Sequence, residues 1–117
     1  MLKINLDFEK PTLDINGVVF DVLRSDAQIM QDMLDIDKQF ENRDMTDPAA
    51  VLEKNQVMLD YIDRLLGQGA ADKIVKTVPA LCGVGLGLGG IAGVLGAIAE
   101  AAAKAYHDSF VLKYGDD

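Results

Sequence analysis

Hydrophobic and polar residues alternate through the first part of the chain, a spacing typical of half-buried β-strands. In the segment 2–8 every second residue is apolar: Leu2, Ile4, Leu6 and Phe8. The segment 12–22 repeats this pattern around Asn16-Gly17, which favours a two-residue hairpin turn because both positions accept positive φ. With this turn at the centre, Ile15 lies opposite Val18, and the hairpin is predicted to have one apolar face.

From Ser25 onward, apolar residues recur every three or four positions, which predicts amphipathic helices. Ser25 and Gln28 have the spacing of a capping box, so a helix is expected to begin there and to run to about residue 42. Its apolar stripe is expected to comprise Ile29, Met33, Ile36 and Phe40, widened by Met30 and Leu34.

A second helix is predicted after Asp47, a good N-cap residue that precedes a proline suited to the first helical turn. Gly67 is its expected C-cap. Its apolar face is expected to contain Val51, Leu52, Met58, Leu59, Tyr61, Ile62, Leu65 and Leu66. A short third helix fits between Gly69 and Pro79.

The last predicted helix is long and apolar, and extends from about residue 80 to residue 113. Apolar residues alternate there in steps of three and four, as in the a/d seam of a heptad repeat: Leu81, Val84, Leu88, Ile91, Leu95, Ile98, Ala102 and Ala105. Small residues lie beside this seam: Gly85, Gly89, Ala92, Gly96, Ala99 and Ala103. Such a strip allows another backbone to approach closely.

The predicted architecture is one domain over residues 1–117, mainly α with a small N-terminal β-hairpin or meander. A hairpin region at 1–24 precedes amphipathic helices at 25–79, and the long apolar helix at 80–113 completes a helical bundle.

The net charge and the cysteine content narrow the range of possible partners and compartments. The net charge of −8, without a basic patch, argues against nucleic acid and anionic lipid surfaces as partners. The single cysteine, Cys82, excludes an internal disulfide and fits a reducing compartment. The segment 1–11 lacks the apolar core of a secretion signal, so a cytoplasmic location is expected.

A glycine-rich apolar run occupies residues 83–103, and two of its possible functions are weak. Gly85, Gly87 and Gly90 match a dinucleotide-binding spacing, but no strand is predicted before them and no acidic residue follows about 20 positions later. Residues 77–99 carry no charge and are long enough to span a bilayer. Seven of these 23 residues are glycine, however, and no aromatic belt flanks them closely, so membrane insertion is a minor alternative.

No catalytic, cofactor-binding or metal-binding constellation is expected. His107 is the only histidine and has no metal-ligand spacing to another residue. The acidic residues Asp32, Asp35 and Asp37 are interpreted as the solvated face of the first helix. The methionines are interpreted as core residues, or alternatively as an adaptable surface for varied partners.

Interaction with another chain remains the favoured hypothesis for the apolar run. Its helix is apolar nearly all round, so part of its surface is expected to stay uncovered and to bind a partner or a second copy. The residues expected to bind are Leu81, Val84, Gly85, Leu88, Gly89, Ile91, Gly93, Leu95 and Ile98.

Two segments also resemble a known family. They are 18-VVFDV-22 after short strands, and 62-IDRLLGQGAADKI-74 at the end of the second helix. With the acidic character and the apolar last helix, they make the chain similar to the tail assembly chaperones of siphophages. The resemblance implies a non-enzymatic factor of the host cytoplasm that solubilises the long, hydrophobic tape measure protein and is absent from the mature virion.

Three hypotheses therefore follow from the sequence. The first is a chaperone for a long helical client, forming homo-oligomers that exchange for client contacts. The second is a small membrane-active protein that uses residues 77–99 as a span. The third is a structural homo-oligomer without a client.

Overall fold

The computed structural model describes residues 11–77 and 88–115, apart from the side chains at positions 77, 88, 89 and 109–115. Within these ranges the chain forms a two-stranded antiparallel sheet and four helices: β1 (Thr12–Ile15), β2 (Val18–Asp21), α1 (Asp26–Phe40), α2 (Pro48–Leu66), α3 (Ala70–Thr77) and α4 (Leu88–Gly115). The prediction of a mainly helical protein with a small N-terminal hairpin is confirmed. The strand predicted at 2–8 lies outside the described residues.

The hairpin has the register that its sequence predicts. Ile15 pairs with Val18, and Leu13 pairs with Phe20. The turn residues Asn16 and Gly17 both have positive φ, at 52° and 86°. The paired residues turn their apolar face to the helices, whereas Val19 and Asp14 point to solvent.

Local capping signals fix the starts of α1 and α2. The Ser25 hydroxyl accepts a hydrogen bond from the backbone N–H of Gln28, while the Gln28 side chain accepts one from the N–H of Ser25. At the start of α2, the Asp47 carboxylate accepts a hydrogen bond from the N–H of Ala49. Both caps satisfy backbone donors that a helix N-terminus leaves unpaired.

A tight corner joins α2 to α3, built from the segment 62–74 that carries the family resemblance. Gly67 and Gly69 take positive φ values of 113° and 85°, which side chains disfavour. The Asp63 carboxylate of α2 accepts a 2.8 Å hydrogen bond from the N–H of Ala71 in the first turn of α3. The motif therefore shapes a helical corner.

The hydrophobic core lies between the hairpin, α1, α2, α3 and one face of α4. Its fully buried side chains include Val22, Ile62, Leu65, Ile91 and Leu95. The heptad spacing correctly predicts this face of α4, because steps of three and four residues keep all members of the seam on one side of the helix: Ile91, Leu95, Ile98 and Ala102 are all buried.

The prediction of a long apolar C-terminal helix is not confirmed. The described helix α4 begins at Leu88, and residues 78–87 lie outside the described part of the chain. Although α4 has 28 residues and runs through Gly89 and Gly90, it carries the charged residues Glu100, Lys104 and Asp108 from its middle onward. The apolar residues form one buried face and do not surround the helix.

Candidate functional site

A groove of about 480 Å³ runs between α1 and α4. From α1 it is lined by Asp26, Ile29, Met30, Met33, Leu34 and Asp37. From α4 it is lined by Ala99 and Ala103. The two alanines belong to the strip of small residues that the sequence predicts for this helix. Because their side chains are short, α4 leaves space beside α1 where larger residues would close the gap.

Met30 and Leu34 give the groove an exposed apolar wall. Met30 is 67% exposed and Leu34 is 55% exposed, whereas the neighbouring Ile29 is buried. The two exposed residues are one helical turn apart, so they form a continuous ridge. Both residues therefore lie outside the buried part of the stripe that they were predicted to widen. The interpretation of Met30 as a core residue is wrong, and the alternative, an adaptable surface for partners, stays a prediction. Large apolar side chains that stand beside a groove are a common feature of protein-binding surfaces.

Two carboxylates mark the ends of the groove. Asp26 and Asp37 are separated by eleven positions on α1, which corresponds to about 16 Å along a helix. Neither carboxylate forms a hydrogen bond or an ion pair within the part of the chain that the structure describes. Glu100 and Lys104 follow the two alanines in sequence, are exposed, and do not line the groove. The groove thus has an apolar centre and negative ends.

The predicted partner-binding residues of α4 mostly lie elsewhere. Ile91, Leu95 and Ile98 are at most 5% exposed and pack in the core of their own chain. α2 and the hairpin pack against that face of α4. Ile98 also lines a depression of about 330 Å³ beside the hairpin, together with Leu13 and Val94.

The other predicted positions divide into two groups. Gly93 is exposed, and a Cβ atom added there would meet no described atom within 4 Å beyond its chain neighbours and the adjacent helix backbone. The remaining five predicted positions are outside the described residues or have no described side chain: Leu81, Val84, Gly85, Leu88 and Gly89. Partner binding by those five stays a prediction.

A polar network lies on the other side of α1. The guanidinium of Arg24 donates two hydrogen bonds to Asp32, from Nε at 2.9 Å and from a terminal nitrogen at 3.1 Å. The Tyr61 hydroxyl donates a third, at 2.8 Å. The Tyr106 hydroxyl donates to the backbone oxygen of Arg24 at 2.6 Å. Asp32, interpreted from sequence as part of a solvated face, is therefore a structural residue, while Asp35 and Asp37 are exposed as expected.

The network perturbs the ionisation of its members. Burial by itself would raise the pKa of Asp32, but hydrogen bonds from Arg24 and Tyr61 outweigh it and hold that pKa below its ordinary value. Burial and the hydrogen bond to Asp32 raise the pKa of Tyr61 well above its ordinary range. Burial, and then the charge of Asp26, raises the pKa of Tyr106. Asp32 is charged and both tyrosines are neutral at pH 7 with their ordinary pKa values, and the shifts widen the pH range over which these states persist.

A shallow depression of about 280 Å³ adjoins this network between α1 and α2. Three of its acidic residues already accept hydrogen bonds from neighbouring side chains. Asp32 is bound by Arg24 and Tyr61, Asp35 accepts from Gln31, and Asp60 accepts from Gln56. The acidic groups of the depression thus form hydrogen bonds with neighbouring side chains of the same protein, which argues for a structural role.

The structure does not bring together the remaining residues that were considered for catalysis or ligand binding. His107 is exposed on α4, while Cys82, Gly85 and Gly87 lie outside the described residues. Across residues 11–77 and 88–115, no group of three or more potential metal ligands forms a cluster. In the same ranges, no helix combines the length and the hydrophobicity needed to cross a bilayer. The proposed span at 77–99 includes residues 78–87, which fall outside them.

The groove was missed at the sequence level, although α1 contains one signal for it. Ile29, Met33, Ile36 and Phe40 complete a regular stripe of one helix face without any help from Met30 and Leu34. Two large apolar residues beyond a complete stripe widen it past what one neighbouring helix can cover. The small residues of α4, about 70 positions away, decide which side of the α1 stripe stays open. The sequence of α1 alone cannot show this.

Comparison of the chain with known protein families, with curated proteins and with solved structures finds no match. The resemblance to siphophage tail assembly chaperones therefore stays a prediction.

Proposed function

We propose that this protein is a non-enzymatic tail assembly chaperone of a siphophage, which binds the tape measure protein and keeps it soluble in the host cytoplasm. In this proposal the chaperone leaves before the virion is complete. The α1–α4 groove is the client-binding site. The single observation that carries the proposal is the exposure of Met30 and Leu34 beside Ala99 and Ala103.

Two properties of the groove suit a helical client. Its wall is made by a leucine and a methionine, and the unbranched methionine side chain adapts to partners of varied shape. Its opposite wall consists of alanines, which let a client backbone come close. An amphipathic helix placed there would cover the exposed ridge and convert its hydrophobic surface into an interface.

The acidic surface suits the same role. With a net charge of −8, chaperone molecules arranged along a long hydrophobic client repel one another and repel other complexes. This repulsion favours solubility. It also opposes tight self-association, so homo-oligomers formed through the groove are expected to be weak and to exchange for client contacts.

The test is co-expression with the tape measure protein of the same phage. The wild-type chain is expected to make that protein soluble and to co-purify with it. The double variant Met30→Ser/Leu34→Ser is expected to lose both effects. Leu52→Ser is the matched control, because Leu52 is 69% exposed but does not line the groove.

The outcomes separate the hypotheses. If the tape measure protein stays insoluble with the wild-type chain, the chaperone proposal fails. A single fixed oligomer, unchanged by the client, would then support the structural homo-oligomer. If the client is solubilised equally by the wild type and the groove variant, the chaperone proposal stands and the groove is not the site.

A further inference from the structure

We propose that the α1–α4 groove selects amphipathic helices whose apolar stripe is flanked at both ends by lysine or arginine. The inference rests on the groove being the client site proposed above and specifies the kind of segment that it binds. The observation behind it is the pattern along α1, where an apolar ridge ends in a carboxylate on each side.

The spacing of the carboxylates determines the expected spacing of the client's cations. Asp26 and Asp37 are eleven positions apart on a regular helix. A second helix lying along the groove rises by the same distance per residue. Two cations about eleven positions apart on the client would therefore reach both carboxylates together, with the apolar stripe between them resting on Met30 and Leu34.

Charge also distinguishes this occupant from a second copy of the chain. Each copy carries a net charge of −8, so pairing two copies through their grooves brings like charges together. A basic-flanked helix instead supplies opposite charge to Asp26 and Asp37, both exposed and without an ion pair inside the described residues. The complementarity favours a cationic amphipathic helix.

The experiment uses the full-length protein and two labelled helical peptides of about 18 residues, enough for five turns. Both carry the same leucine stripe. One has lysines eleven positions apart around it, and the other has glutamates at those two positions. Fluorescence anisotropy at low salt gives the Kd of each peptide. The lysine peptide is expected to bind about tenfold more tightly, because each exposed ion pair contributes a factor of about two to five. The preference is expected to shrink at high salt.

Charge reversal on the protein supplies the decisive control. Asp26→Lys/Asp37→Lys is expected to reverse the preference, so that the glutamate peptide binds more tightly. Asp37→Lys alone should abolish about half of the preference; it lies in the last turn of α1, where a positive charge suits the helix dipole and folding is preserved. Asp35→Lys is the matched control, since Asp35 is exposed on the same helix but does not line the groove.

Equal binding of both peptides by the wild type would overturn the inference. So would an unchanged preference in Asp37→Lys, or a loss of preference in Asp35→Lys equal to that in Asp37→Lys. The proposed function fails separately. If the wild type prefers the lysine peptide but leaves the tape measure protein insoluble, the inference stands without that client. If the tape measure protein is solubilised while the peptides bind equally, the chaperone proposal stands and the charge selection is wrong.

Discussion

The Tyr61 hydroxyl and the Arg24 guanidinium donate to the same oxygen of Asp32, at 2.8 Å and 2.9 Å. This shared acceptor joins α2, the linker after β2, and α1 at one point. The backbone oxygen of Arg24 also accepts a hydrogen bond from Tyr106 of α4. Arg24 is therefore bonded directly to α1 and α4, and it is linked to α2 through the Asp32 carboxylate. The network holds α1 and α4 in the relative position that opens the groove.

Tyr61→Phe tests this network. The substitution removes one hydrogen bond to a charged acceptor, so the free energy of unfolding should fall by about 1.5 kcal/mol. Tyr106→Phe removes a hydrogen bond to a neutral backbone oxygen and should cost less, about 1 kcal/mol. Urea denaturation followed by circular dichroism measures both. A Tyr61→Phe protein as stable as the wild type would show that the shared acceptor contributes nothing.

The lowered pKa of Asp32 makes part of the stability depend on pH. Because its folded pKa lies below the ordinary value near 3.8, the ionised carboxylate stabilises the fold above that pH. The contribution is lost as the pH falls from about 4 through the lower folded pKa. Asp32→Asn should therefore be less stable than the wild type at pH 7, and the difference should narrow below pH 4.

The control for this pH dependence is Asp35→Asn, which changes an exposed carboxylate of the same helix. Urea unfolding at several pH values compares the three proteins. The difference in the free energy of unfolding between wild type and Asp32→Asn is followed from pH 7 down to about 2.5, through the range in which carboxylates titrate. A constant difference would contradict the lowered pKa of Asp32.

Leu95 was predicted to bind a partner but is buried in the core, and the two roles predict different effects of Leu95→Ala. Leu95→Ala removes a buried side chain and should lower the free energy of unfolding by about 3 kcal/mol. Met30→Ala, at an exposed site, should change it by less than about 0.5 kcal/mol. Thermal and urea unfolding of the free protein measure both. If Leu95→Ala is as stable as wild type but loses client binding, the partner-binding hypothesis for this residue is restored.

Glycines at the α2–α3 corner and in α4 should respond to alanine in opposite directions. At Gly67 the positive φ of 113° is unfavourable for alanine, so Gly67→Ala should lose about 1 kcal/mol or more. Gly96 lies within α4, is exposed, and has free space around an added Cβ atom. Gly96→Ala should therefore gain about 0.5–1 kcal/mol from the better helix propensity of alanine. Urea denaturation measures both changes, and equal effects would contradict the backbone argument.

Gly93→Ala distinguishes an effect on the stability of the protein from an effect on the approach of a partner backbone. The residue is exposed in α4 with open space around it, so the substitution should raise stability by about as much as Gly96→Ala. If a partner backbone packs on Gly93, as the sequence predicts, the added methyl group should weaken client binding in the co-purification assay. A more stable protein with unchanged client binding would show that no partner approaches at this position.

Much of the fold follows from local signals in the sequence. The Asn16-Gly17 turn sets the hairpin register, and Ser25, Asp47 and Gly67 fix helix ends, because each acts through atoms only a few residues away. The heptad spacing likewise identifies the face of α4 that contains Ile91 and Leu95. These features were predictable since a turn, a cap or a periodic face depends on the chain's own short-range geometry.

The tertiary structure decided what those faces meet. Met30 and Leu52 belong to the predicted apolar stripes of α1 and α2 but are exposed, whereas Asp32 belongs to an acidic cluster but is paired inside the fold. Whether a side chain is covered depends on residues far away in sequence, such as Ala99 beside α1 and Arg24 beside Asp32. Local patterns along the chain therefore predict the elements and the centre of each apolar stripe. Only the packing of distant segments decided which apolar surface remained open, because burial is a property of contacts between elements.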